Sequence, residues 1–197
     1  MASSGRSESG TDADLVAAIQ RGDREAFRQL VERHHRSLIS FFNHMSWDLQ
    51  IAEDCTQEVF LRLFSHLGSY EPQAKFTTFL FRVARNLWID RMRSGAVRMK
   101  PTSLDASDER GALKDRIRSS AETPVEILSR SETCEAVKQA IEGLPEEQRM
   151  VLVLSELQGL RYEEIAVILQ IPVGTVKSRM HTAVERLKEK LKSDDMS

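Results

Sequence analysis

Several residue patterns are missing from this chain of 197 residues, and each absence closes a class of function. No apolar run approaches the roughly 18 residues that a bilayer-spanning helix requires. The start, MASSGRSESGTDAD, has no apolar core to act as a signal peptide, so the chain is expected to stay in the cytoplasm. Cysteine is scarce: Cys55 and Cys134 lie far apart and form no CxxC pair, and both read as small reduced core residues. His34, His35 and His44 with Cys55 match no established ligand spacing, so no metal or cofactor is expected. There is no glycine-rich phosphate loop and no nucleophile motif. The paired acids Glu146–Glu147 and Glu163–Glu164 sit in helix first turns, where the helix dipole accounts for them. An enzyme is therefore the weakest reading. The charges nearly balance, at 28 Lys and Arg against 30 Asp and Glu, which argues against a wholly basic nucleic-acid coat. Any positive surface must be local.

What is present is helical periodicity, with no strand alternation. Residues 1–11 read as a disordered tail. Asp12 and Asp14 can cap a first helix through Leu15, Val16, Ala18 and Ile19, and Asp23 opens a longer one with Phe27, Leu30, Val31, His34, Leu38 and Phe41 on one face. A third helix, about Leu49–Leu67, points Ile51, Cys55, Val59, Leu63 and Phe64 inward, and a fourth runs over about Thr77–Arg93. Residues 12–94 thus predict one small helical domain. Residues 95–123 are rich in charge, Ser and Gly and predict a flexible linker. Pro124 reopens helical structure, Leu144-Pro145-Glu146-Glu147 starts another helix carrying Met150 to Leu157, and residues 124–192 predict a second helical domain.

The second domain contains the most informative stretch, Tyr162–Leu187. An apolar face at Ile165, Ala166, Ile168 and Leu169 is followed by the joint Gln170-Ile171-Pro172. A second helix then repeats Val173, Val176, Met180, Ala183 or Val184, and Leu187. Two short helices, a tight turn and a small residue at the crossing predict a helix-turn-helix. Its second helix would present Thr175, Lys177, Ser178, His181 and Thr182 outward, at a width that fits a DNA major groove. In the first domain, Asp48–Glu58 holds four acids and no base, whereas Lys75–Lys100 holds seven bases and the single acid Asp90. The latter interleaves with Phe76, Phe79, Phe81 and Trp88, a pattern suited to unpaired bases. The alternative is that the aromatics are core and the arginines a solvated face, and for Phe79 the core reading is the stronger.

Four stretches in order carry a family resemblance: RGDREAFRQLVERHH, DCTQEVFLRLF, KFTTFLFRVARNLWIDRMR and LPEEQRMVLVLSELQGLRYEEIAVILQIPVGTVKSRMHTAVERL. Together they resemble the extracytoplasmic-function (ECF) sigma factors, bacterial RNA polymerase initiation subunits built from two helical domains. The resemblance implies sigma region 2 at residues 12–94 and region 4 at 124–192. It implies core-polymerase contacts, on the β′ clamp and the β flap, with Asp54, Gln57, Glu58 and Phe60 on the clamp side. It implies −10 DNA contacts at Tyr70, Lys75, Phe76, Arg82, Arg85 and Asn86, with a base pocket in the loop Tyr70–Phe76. It also implies −35 contacts at Arg161, Thr175, Lys177, Ser178, Arg179, His181 and Thr182, with Arg161 and Arg179 on phosphates. An anti-sigma factor is the implied regulator, and no appended C-terminal domain is expected. Two departures stand out: Arg161 replaces the Ser or Thr that commonly caps the first helix of the motif, and Thr182 replaces a common basic residue. The rival reading, a repressor or activator that binds duplex DNA alone, leaves Asp54–Phe60 and the cationic helix without a task.

Overall fold

The computed structural model describes residues 10–69, 75–95 and 135–194, and those residues are helical with short joints. Tyr70, Pro72, most of the predicted linker, the helix start at Pro124 and Cys134 lie outside the described residues. Helix α1 (Asp12–Gln20) is capped by Thr11, whose hydroxyl accepts the Asp14 N–H while the Asp14 carboxylate accepts the Thr11 N–H at 2.9 Å. This corrects the expectation that Asp12 and Asp14 share that task. Asp12 instead crosses to α2 (Arg24–Ser46) and accepts from Arg33 at 2.7 Å. It lies 2.9 Å from the His34 ring. Asp23 caps α2, and Asp48 caps α3 (Leu49–His66) by accepting the Ile51 N–H at 3.2 Å. One of the four acids of the Asp48–Glu58 run is thereby committed to a helix start. A short 3₁₀ turn, Leu67–Ser69, closes this part, and α4 (Phe76–Arg93) begins one residue earlier than predicted.

Helices α2, α3 and α4 pack around Leu30, Leu38, Phe41, Leu63, Leu80 and Leu87. Cys55 is fully buried among them, and burial pushes its thiol up to about 11. No helix among the described residues is long and apolar enough to cross a membrane. The second group comprises α5 (135–142), α6 (Glu146–Leu152), α7 (Tyr162–Leu169) and α8 (Val173–Asp194). Five residues after α6, Val153–Leu157, wind into a π turn, which shifts the register so that Leu157 emerges half-exposed rather than joining the core. Gly159, at φ 66°, then reverses the chain into α7.

The two groups do not stand apart: one apolar core runs through both. Sequence periodicity gave no hint of this packing. Arg149 of α6 is 3% exposed and donates to the Met45 carbonyl of α2 at 3.0 Å, as well as to the carbonyls of Glu142 (2.7 Å) and Leu144 (3.1 Å). Burial pulls its pKa down, and Glu142 and Glu146 oppose that. The Trp88 indole of α4 donates to Glu146 at 2.9 Å. Trp47 ends α2 at φ 54°, a left-handed conformation that costs a bulky residue about 1–2 kcal/mol. It is held by its N–H on the Asn43 carbonyl at 2.7 Å and by the Lys138 ammonium of α5 over its ring.

Replacing Arg149 with Met should therefore leave two buried carbonyls, of Met45 and Leu144, and the part-buried one of Glu142 without their charged donor. We expect a loss of about 3 kcal/mol in urea unfolding, and Arg149→Lys should recover only part of it, since one ammonium cannot reproduce the guanidinium fork.

Candidate nucleic-acid interface

Three exposed surfaces carry the polar chemistry. The first lies on α3. Asp54 and Gln57 are exposed, and Gln50 donates to Asp54 at 3.3 Å. Glu58 is half-buried and accepts from Arg62 at 2.9 Å; Arg62 also faces Asp90 of α4 at 3.7 Å. Phe60 does not share this surface: it is 8% exposed and stacks parallel to His35 with centroids 6.5 Å apart. The exposed apolar side chains are Leu61, at 65%, and Phe64, at 59%, which meets Phe27 of α2 edge-on at 5.1 Å. Phe64 was expected inside. Counted from Gln57 the exposed positions recur at i, i+4 and i+7, one helical stripe that the spacing alone could have revealed.

The second surface is the outer stripe of α4. Lys75, Phe79, Arg82 and Asn86 follow the same period, with the Arg82 guanidinium 5.7 Å from the Phe79 ring centroid. Asn86 is exposed, and its Oδ1 accepts from Arg85 at 2.9 Å. The aromatic residues expected to interleave with these cations are mostly buried. Phe76, Phe81 and Trp88 are core residues, and only Phe79 remains half-exposed. The reason is that these rings pack on α2, Phe76 against His34, Phe81 against Phe41 and Trp88 against Phe42, while α3 and α7 also cover α4. Lys75 pairs with Glu164 of α7 at 2.9 Å, and Arg85 reaches the Leu169 carbonyl at 3.5 Å.

The third surface is the helix-turn-helix. Gln170 ends α7 at φ 56° with its N–H on the Ala166 carbonyl, and Val173 begins α8 after Pro172. Val176, Met180 and Ala183 are buried against α6 and α7, so Lys177, Ser178 and His181 face outward. Thr175 and Thr182 flank them half-buried, and the Thr182 hydroxyl donates to the Ser178 carbonyl at 3.0 Å. Arg161 is exposed at the N-cap and contributes no side-chain cap. Glu164 reaches back to accept its N–H at 2.9 Å, so one half of a capping box is present while the half that a Ser or Thr would supply is missing. Arg179 turns the other way and pairs with Glu147 of α6. Between α4, α6 and the helix-turn-helix lies a cleft of about 360 Å³, floored by Ile89, Met92, Met150 and Ile171 and rimmed by Arg85, Arg93 and Arg179. No group of His, Cys, Asp and Glu among the described residues could hold a metal ion.

Residues 30–98 match Sigma-70 region 2 and residues 134–187 match Sigma-70, region 4. The chain is 34% identical over 180 residues to the RNA polymerase sigma-H factor of Pseudomonas aeruginosa, covering 91% of this chain and 93% of that one. It is 35% identical over 192 residues to the ECF RNA polymerase sigma-E factor of Escherichia coli, covering 94% and 96%. Among solved structures, CnrH in complex with the cytosolic domain of CnrY shares the fold at TM-score 0.67 and 24% identity, with 93% and 98% of the two chains covered. The sigma factor RpoE, solved with the anti-sigma factor NepR from Bartonella quintana, does so at TM-score 0.61 and 24% identity, with 85% and 98% covered.

The division of the α4 aromatics has a direct check. Phe81→Ala should cost about 3–5 kcal/mol in chemical unfolding, in the range for a fully buried ring. Phe79→Ala should cost less than half of that.

Proposed function

The chain belongs to the ECF branch of the sigma-70 factors and directs promoter-specific transcription, and from that premise we propose how its surfaces divide the work. It serves in the cytoplasm as a noncatalytic subunit of RNA polymerase. The α3 stripe docks on the core enzyme's β′ clamp. Asp54 and Gln57 supply charge and hydrogen bonds to a basic helical surface, Glu58 is held in place by Arg62, and Leu61 and Phe64 extend the contact with apolar area. Phe60 supports that stripe from beneath. Region 4 takes the β flap.

The α4 stripe meets the −10 strand. Extracting bases from the stack costs a few kcal/mol each, and a cationic stripe beside a base pocket offsets that cost. Lys75, Arg82 and Arg85 attract the backbone, Phe79 offers a ring for stacking, and Asn86 has a donor and an acceptor for one base edge. Phe76 anchors the start of α4 from inside, and Tyr70 belongs to the adjoining loop. Helix α8 enters the −35 major groove, where Lys177, Ser178 and His181 reach base edges while Thr175, Thr182 and Arg161 border the phosphates. Arg179 can join a phosphate only by giving up Glu147. An anti-sigma factor regulates the chain. The observation that carries this reading is the coincidence of each exposed polar stripe with one motif of the family.

Three experiments test it. Glu58→Lys sets a cation against Arg62 and the basic partner, so it should abolish co-purification with core polymerase while helicity stays unchanged; retained binding would remove α3 from that role. In a selection from randomised −35 DNA, Lys177→Ala and His181→Ala should each change the preferred sequence. Asn86→Ala should weaken opening of a duplex promoter by about 1–3 kcal/mol without affecting core binding.

A further inference from the structure

Two cations assigned above to the −10 strand already have partners, and both partners belong to one helix of region 4. Lys75 Nζ lies 2.9 Å from the Glu164 carboxylate. Arg85 Nη2 lies 3.5 Å from the carbonyl of Leu169, the last residue of α7 and thus its negative end. A fixed carboxylate and a helix carbonyl terminus offer these cations what a DNA backbone offers, oxygen acceptors bearing negative charge. Glu164 is well suited to the part. Its side chain is 17% exposed and pinned by the Arg161 N–H, and that hydrogen bond, ahead of Lys75, holds its pKa below the usual carboxylate range. Arg85, by contrast, is poorly served: its Nε is buried without an acceptor, and its bond to Leu169 is long. A phosphate would satisfy it better. Arg82 lies against the Phe79 ring and Asn86 stays exposed on the outer stripe.

We propose that α7 occupies the phosphate positions beside Lys75 and Arg85 in the free chain, so that region 4 competes with single-stranded DNA for region 2. The proposal rests on the reading that Lys75 and Arg85 meet the −10 strand. The contact is neutralising rather than obstructive, since Lys75 remains 67% exposed. Its effect on DNA binding is therefore modest and reversible. It is released when the two regions separate, as they must when one reads −10 and the other −35 on the same duplex.

The test measures binding of the full chain to a labelled single strand of roughly 12 nucleotides and randomised sequence, at low salt. Glu164→Gln removes the charge yet keeps the capping acceptor, and it should bind about threefold tighter than the parent chain, the scale of an exposed ion pair. In a Lys75→Ala background the same change should give no gain. Glu146→Ala loosens the pair from the Trp88 side without touching α7, and it should also tighten binding. Unchanged affinity in both Glu164→Gln and Glu146→Ala overturns the proposal, and so does an undiminished gain from Glu164→Gln without Lys75. Failure of the underlying reading has its own signature: Lys75→Ala and Arg85→Ala would leave promoter opening by the reconstituted holoenzyme unchanged.

Discussion

Every helix ends with carbonyl groups that have no partner within it, and a protein built only of helices must find donors for them elsewhere. In this chain long basic side chains arriving from other helices supply several. Arg149 serves the ends of α2 and α5, Arg85 serves the end of α7, and Lys190 donates to the Gln139 carbonyl at 2.7 Å. Two of these links cross between the regions in opposite directions, so each region caps a helix of the other. That reciprocity brings α7 onto α4, closes the cleft behind the helix-turn-helix and gives Trp88 its acceptor.

The same constraint sorts the basic residues into two populations. Arg85, Arg149, Arg179 and Lys190 are engaged with protein oxygens, whereas Lys177 lies on the outward face of α8. A count of bases along the chain cannot separate the two. Nor are the functional surfaces equally available in the packed arrangement. The neighbours of α3 are α2 and α4, so its polar and apolar stripe stays open while α4 is partly engaged by α7.

Much of the fold was legible because periodicity and capping are local. Asp23 opens the helix predicted from it, α3 starts at Leu49 as predicted, the joint at Gln170–Pro172 falls where proline demands it, and Val176, Met180 and Ala183 set the outward face of α8. Where neighbouring positions were all apolar, the sequence offered no contrast. Phe60, Leu61, Leu63 and Phe64 could each face inward, and only the placement of α2 and α4 decides that Phe60 and Leu63 do. The aromatics of α4 were ambiguous for the same reason, since a half-cationic helix covered by α2, α3 and α7 looks like one covered on one side. The packing of the two regions was invisible for a different reason. Beside the carboxylates of Glu146 and Glu164, its acceptors are backbone oxygens, and no residue type announces those.

That last property shapes how such an arrangement can change over generations. The Met45, Glu142, Leu144 and Leu169 oxygens belong to the main chain, so no substitution at those positions deletes the acceptor itself. Only the donor side is open to loss, chiefly at Arg85 and Arg149. Met45, Leu144 and Leu169 are also buried and held by packing, so among these acceptors Glu142 alone can change its side chain freely while its bond to arginine persists.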